Sequence, residues 1–296
     1  MSHPRQAPPP IGYEMRHHAL HRDAFSNFQQ RRTPPQPAPT ISHGARKRAI
    51  VILTPMSVQW NTHPDPHTTA AACAQHISAL LEQALSSQEQ ATLAVSGGST
   101  PKLLFESMLA SRFRWQRVHL FFVDERCVPP NDPESNYRLA NENLIQPAHI
   151  PPAQVHRIHA EIKPETGAQQ YVEDIRNFFG LEEGDQPHFD VLQLGVGPDA
   201  HTASLFPGLD AIEDRDHVAG AVYVPKMDKW RITLLPGALL AAKNTVFLVA
   251  GVDKAPAVGN VFHQEFDPKH YPAQLISRQG RRVTWFLDQA AATELG

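Results

Sequence analysis

Leu93-Ala94-Val95-Ser96-Gly97-Gly98-Ser99-Thr100-Pro101 carries the marks from which the fold is read. Its apolar start belongs to a run from Ala91 to Val95, short and uninterrupted, as a strand buried on both faces would be. Two glycines and two hydroxyl residues follow. Pro101 then stands where a helix over Pro101 to Ala110 can begin. The stretch reads as a strand passing through a tight turn into a helix.

The same alternation extends outward from it. Upstream, Ala49 to Leu53 is a short apolar run, read as a first edge strand. Asp65-Pro66 supplies a cap and a first-turn proline, and Cys73, Ile77, Leu80, Leu81 and Ala84 follow at helical spacing. Cys73 is then a core residue. Downstream, Val118 to Val123 predicts a strand, Asn136 to Ile145 a helix, and Ala168, Val172, Ile175 and Phe179 another helix. Phe189 to Leu194, Ile232 to Leu235, Thr245 to Ala250 and Val283 to Leu287 read as further strands, with a helix from Asp253. Apolar strands alternating with amphipathic helices predict an α/β fold, an open, mainly parallel sheet with helices on both faces. Ligands of such sheets bind at the carboxyl ends of the strands.

Composition divides the chain near residue 48. Residues 1–48 hold eight of the 27 Lys and Arg, two of the 30 Asp and Glu, and eight prolines, which leaves 19 basic and 28 acidic residues beyond them, a balance of −9. The proline-rich arm, with Arg31-Arg32-Thr33-Pro34-Pro35, cannot hold a helix or a central strand and is expected to be disordered. Residues 49–296 are expected to form one α/β domain. A net charge of −3 over 296 residues speaks against a general nucleic-acid binder. No apolar run reaches the ~20 residues of a membrane span. With two cysteines and no signal-like N-terminus, the expectation is a cytoplasmic protein without a disulfide framework.

Four segments carry chemistry. Gly97, Gly98, Ser99 and Thr100 combine close backbone approach, hydroxyl donors and a helix N-terminus, which suits an anion. There is no Gly-Lys-Ser/Thr of a P-loop and no third glycine of a dinucleotide fingerprint. Asp124-Glu125-Arg126 ends an apolar strand. Arg126 can bind phosphate or support an oxyanion, with Asp124 or Glu125 orienting it; alone, the triplet fits a surface ion pair better. Cys127 has no His/Asn signature beside it and reads as a bystander. Asp199 and His201 share a glycine-rich turn after a buried strand, a plausible general base with a supporting carboxylate. Lys226, Lys229 and Arg231 precede a strand, and one or two of them can complete a phosphate site.

Together these segments resemble the 6-phosphogluconolactonase family. The matches are Ser96-Gly97-Gly98-Ser99-Thr100-Pro101, Asp124-Glu125-Arg126-Cys127-Val128-Pro129 with Ser135-Asn136-Tyr137, Asp199-Ala200-His201-Thr202-Ala203-Ser204-Leu205-Phe206-Pro207-Gly208, Arg231-Ile232-Thr233-Leu234, and Phe247-Leu248-Val249-Ala250-Gly251 followed by Lys254. Order and spacing agree from about residue 58 to residue 292. The resemblance implies the sugar-phosphate isomerase/lactonase-like fold and hydrolysis of 6-phosphogluconolactone in the oxidative pentose phosphate route. It implies His201 as the base, Asp199 as its support and Arg126 as a substrate ligand. Gly97, Gly98, Ser99 and Thr100 would hold phosphate, with Lys226 and Arg231 as cationic partners. The scheme requires no metal and no cofactor, and the partner is a small sugar-phosphate lactone bound by a monomer. One position departs from the pattern. Ala200 stands where the family has glycine, and a left-handed backbone there would cost roughly 1–2 kcal/mol. Two rivals are a non-catalytic sugar-phosphate sensor and an amino-sugar phosphate deaminase. The Asp-Glu-Arg triplet and Ala-His-Thr-Ala-Ser-Leu-Phe speak against the second.

Overall fold

The computed structural model describes residues 58–111 and 113–296. The arm expected over residues 1–48 and the strand expected at Ala49 to Leu53 lie outside them.

β1 (Gln59–His63) is mostly polar and exposed, and its lack of alternation hid it from the sequence reading. Asp65 then caps α1 (Pro66–Leu85), accepting from the N–H groups of His67 and Thr68, while its own N–H donates to Thr68 Oγ1. Cys73, Ile77 and Leu81 are buried along one face of α1. β2 (Ala91–Val95) is buried throughout and runs into α2 (Ser99–Ala110). The helix starts two residues before the predicted point. Pro101 is tolerated as its third residue because first-turn N–H groups have no partner within the helix.

β3 (Val118–Phe122) follows, and then the chain departs from the sequence reading. The charged triplet does not merely end that strand; it forms a strand of its own, β4 (Asp124–Arg126). The Val123 N–H still donates to Val95 O, but its carbonyl accepts from the Leu234 N–H, so one residue carries the chain from one sheet to another. α3 (Asn136–Ala140) widens into a π-helical turn over Asn141–Ile145. Next come β5 (Val155–His156), α4 (Pro164–Phe179) and β6 (Val191–Leu194). β7 (Ala219–Val224) and β8 (Lys229–Leu234) form a hairpin whose turn places Asp228 at φ 52°. α5 (Pro236–Ala241), β9 (Thr245–Val249), α6 (Ala255–His263), α7 (Pro272–Gln279) and β10 (Val283–Asp288) complete the domain.

Seven strands form a parallel sheet in the order β1-β10-β9-β6-β2-β3-β5, with helices packed around it. Its centre is aromatic. Phe247 stacks on Trp285 at 4.1 Å, and Phe121 meets Phe178, Phe179 and Phe189. β4, β8 and β7 form a separate antiparallel sheet. The strand expected at Ile232 to Leu235 therefore belongs to this small sheet and not to the parallel one. Its hairpin partner β7 dictates that, since a tight turn joins antiparallel neighbours only.

From β2 the chain builds outward through β3 to β5, then returns to lay β6 on the other side of β2. The switch point of the sheet thus lies between β2 and β6, and the carboxyl ends of these strands carry Ser96 to Thr100 and Gly195 to Thr202. Gln193 joins the two ends: its Oε1 accepts from the Ser96 N–H, and its carbonyl accepts from Ser96 Oγ. Among the described residues no helix is long and apolar enough to cross a membrane.

Candidate active site

A cleft of about 240 Å³ opens at this switch point, lined by the glycine loop, Asp124 and Arg126 of β4, Gly195 to Pro198, His201 to Ala203 and Lys254. It falls just below the usual range for ligand pockets, a size that suits one small molecule.

The glycine loop meets this cleft with free donors. Gly98 is the N-cap of α2 at φ 120°, a conformation that favours glycine. No side chain caps the helix there, so the first-turn N–H groups of Ser99 and Thr100 remain available to an anion. Gly97 is needed for space. A Cβ there would lie 1.8 Å from Asn136 Oδ1, and Asn136 is fixed because its Nδ2 donates to the carbonyl and carboxylate of Asp124.

The carboxylates of the triplet do not orient Arg126, contrary to expectation. Glu125 is buried and takes four donors, the N–H groups of Arg126, Asn136 and Tyr137 and the hydroxyl of Ser135. Burial pushes its carboxyl up, and these donors pull it back in part. Glu125 is thus the anchor of the loop that follows β4. Asp124, also buried, accepts from Asn136 and from Ser204 Oγ at 2.6 Å. Arg126 reaches the cleft with one nitrogen donating to Glu134 O.

His201 stands across the cleft. Its Nδ1 lies 2.5 Å from Asp199 Oδ1, and its ring stacks on Phe206 at 4.1 Å. An ionised carboxylate only accepts, so Nδ1 carries the proton and Nε2 is left with its lone pair. Gly197 permits this placement, because a Cβ there would lie 2.0 Å from His201 Nδ1. Burial pushes the Asp199 carboxyl up, but hydrogen bonds from His201 and Lys226 outweigh it and hold the group well below the usual carboxylate range. A depressed carboxyl contributes stability above its unfolded value and loses it only as pH falls through the folded one, so Asp199 stays ionised at any pH suited to an assay.

The two expected phosphate cations, Lys226 and Arg231, are absent from the residues that line the cleft. Lys226 donates to Asp199 and lies over the Phe206 ring. Arg231 is 5% exposed, faces Arg126 across the β4–β8 pair and reaches only Met227 Sδ, leaving Nη1 buried without a partner. It lines a neighbouring hollow with Cys127 and Lys229. Burial raises the Cys127 thiol to about 11, with Arg231 offsetting part of this, so the residue is protonated at neutral pH and a poor nucleophile. Lys254 does line the cleft. Asp288 at the end of β10 accepts from the Gly251 N–H, fixing the turn that carries Lys254 beyond β9. The signal for it was present in the sequence, a glycine and then a lysine directly after a buried strand.

Ala200 is left-handed, at φ 63°. Its methyl is 1% exposed and belongs to the core, outside the cleft lining. The substitution therefore strains the backbone without crowding a ligand. Ala200→Gly is expected to relieve roughly 1–2 kcal/mol of strain. It also removes about 0.8 kcal/mol of buried methyl and frees the unfolded chain by about 0.4–1 kcal/mol. Chemical denaturation should show a net change within about 1 kcal/mol, with kcat unaltered within a factor of about two.

A larger groove of about 1110 Å³ lies elsewhere, lined by residues such as Tyr137, His149, His156 and Asp174. Of the groups lining it, His156 pairs with Asp174 and Arg157 with the neighbouring Glu161, and neither glycine turn reaches it. Among the described residues no three His, Cys, Asp or Glu side chains are grouped so as to hold a metal ion.

Residues 64–285 match the family described as glucosamine-6-phosphate isomerases/6-phosphogluconolactonase. The chain is 38% identical over 221 residues to a 6-phosphogluconolactonase of Synechocystis, covering 74% of this chain and 90% of the relative. It is 37% identical over 234 residues to one of Nostoc, covering 78% and 96%. The solved structure of the 6-phosphogluconolactonase of Trypanosoma brucei superposes with a TM-score of 0.73 at 26% identity, over 81% of this chain and 99% of that one.

Proposed function

The chain belongs to the family of glucosamine-6-phosphate isomerases and 6-phosphogluconolactonases, and from that membership we propose that it hydrolyses 6-phosphoglucono-1,5-lactone to 6-phosphogluconate. The observation that carries the proposal is one cleft lined by both a carboxylate-supported imidazole and an uncapped helix N-terminus. A base and an anion seat so arranged suit an ester carried by a phosphorylated sugar.

His201 Nε2 takes a proton from water as the oxygen attacks the lactone carbonyl carbon. The charge that develops on the carbonyl oxygen is met by Arg126. Collapse breaks the bond from that carbon to the ring oxygen, and the imidazolium of His201 returns its proton to the leaving alkoxide. Asp199 holds the imidazole in the reactive tautomer and stabilises its charged form. The phosphate sits on the N–H groups of the Gly97–Thr100 loop, with Lys254, which lines the same cleft, as a cationic partner. In this reading the enzyme works as a cytoplasmic monomer, with neither a metal nor a cofactor taking part.

The phosphate seat is tested by comparing 6-phosphoglucono-1,5-lactone with glucono-1,5-lactone. Two charge-assisted hydrogen bonds, at roughly 1.5–3 kcal/mol each, set an expected preference of at least about 100-fold in kcat/KM. Equal values for the two lactones would remove the seat from the account.

A further inference from the structure

We propose that Lys226 is a positioning residue for the catalytic base, acting through Asp199, and that it takes no part in holding phosphate. The inference rests on the lactonase reading above and concerns what the third member of the His201 cluster does there.

Three observations support it. First, the two oxygens of Asp199 are divided between two donors: Oδ1 faces His201 Nδ1 and Oδ2 faces Lys226 Nζ. A carboxylate held at one oxygen can swing about its last bond; held at both, it presents a fixed acceptor to the imidazole. Second, Phe206 lies under both partners, stacked on the His201 ring and 4.6 Å from Lys226 Nζ. Asp199 and Phe206 thus bind Lys226 and His201 into one cluster. Third, Lys226 is absent from the cleft lining, where Lys254 is present. It comes from the turn of the β7–β8 hairpin, so the small sheet reaches Asp199 through this side chain.

The chemistry that follows is electrostatic as well as geometric. A lysine on Asp199 shares the negative charge that would otherwise favour protonation of the imidazole. It therefore keeps His201 available as a base at lower pH. The other charged groups lining the same cleft are Asp124 and Arg126 of β4 and Lys254 beyond β9. Replacing Lys226 leaves all of them in place, so the change it causes reports on Asp199 and His201.

The test is the pH profile of kcat/KM for wild type, Lys226→Met and Lys226→Arg. Loss of one positive charge at this range in a half-exposed setting should move the acid limb up by about 0.5–1 pH unit in Lys226→Met. Activity at pH 6 then falls roughly 3–10-fold and is largely recovered at pH 8.5. Lys226→Arg restores the wild-type limb. Binding of 6-phosphogluconate, measured by calorimetry at pH 8.5, changes by less than about threefold. An acid limb that stays in place overturns the proposal. So does a tenfold or greater loss of 6-phosphogluconate affinity, which would make Lys226 a phosphate ligand. Failure of the lactonase reading is distinguishable, because the His201 imidazole resonance, assigned with His201→Gln, can be titrated by NMR without turnover. Its midpoint should rise in Lys226→Met, and an unmoved midpoint also overturns the proposal.

Discussion

Replacing His201 with alanine is expected to lower kcat by roughly 10²–10⁴-fold, the usual contribution of a positioned general base. KM should change little, because the imidazole acts on water and the leaving oxygen, not on the phosphate. The substitution is also expected to leave the fold intact. The ring is part-exposed, no buried donor loses its acceptor, and Asp199 keeps Lys226. Thermal melting alongside steady-state kinetics checks both halves. A variant that retains most of its kcat would dismiss His201 as the base. A variant with a collapsed melting transition would assign the loss to structure instead.

Glu125→Ala is expected to produce the largest loss of stability. The side chain is 3% exposed and is the acceptor for three backbone N–H groups and one hydroxyl. Removing it leaves these donors without an acceptor in a buried setting. Water entering the vacated space would satisfy some of them, which places the expected cost at roughly 3–5 kcal/mol. For a domain of this size that is a fall of roughly 10 °C in Tm. Activity should fall too, since the loop held by Glu125 supplies Asn136 to Asp124 and Glu134 O to Arg126. Glu125→Gln separates acceptor number from shape. Two of the donors meet Oε1 and two meet Oε2, so an amide can still serve one pair, and about half the loss is expected. Equal stability of wild type and Glu125→Ala in denaturant would contradict this account of the loop.

The parallel sheet was legible because each of its central strands, β2, β3, β6, β9 and β10, is an apolar run bounded by glycine, proline or charge. Two parts were not. β1 is polar and exposed and pairs with β10 across more than 200 residues, so nothing local marks it. The small antiparallel sheet was hidden for a related reason. Asp124-Glu125-Arg126 has no apolar residue by which to read as a strand, and its partner β8 looked like one more member of the parallel series. The site divides in the same way. His201, Asp199, Arg126 and the glycine loop were candidates because each follows on a strand that the pattern reveals. The roles of Glu125 and Lys226 depend on which donors reach them from residues 135–137 and from Asp199, which spacing alone does not give. The effect of Ala200 needed its backbone angle and the direction of its methyl, and only coordinates supply those.

The most direct measurement is the opening of freshly generated 6-phosphoglucono-1,5-lactone, followed against its spontaneous hydrolysis at several concentrations of the wild-type protein. The account predicts a catalysed rate that rises in proportion to protein and falls by at least about 100-fold in His201→Ala. A progress curve identical to the spontaneous one at every concentration, with 6-phosphogluconate still bound, would contradict it and leave a cleft that recognises a sugar phosphate without turning it over.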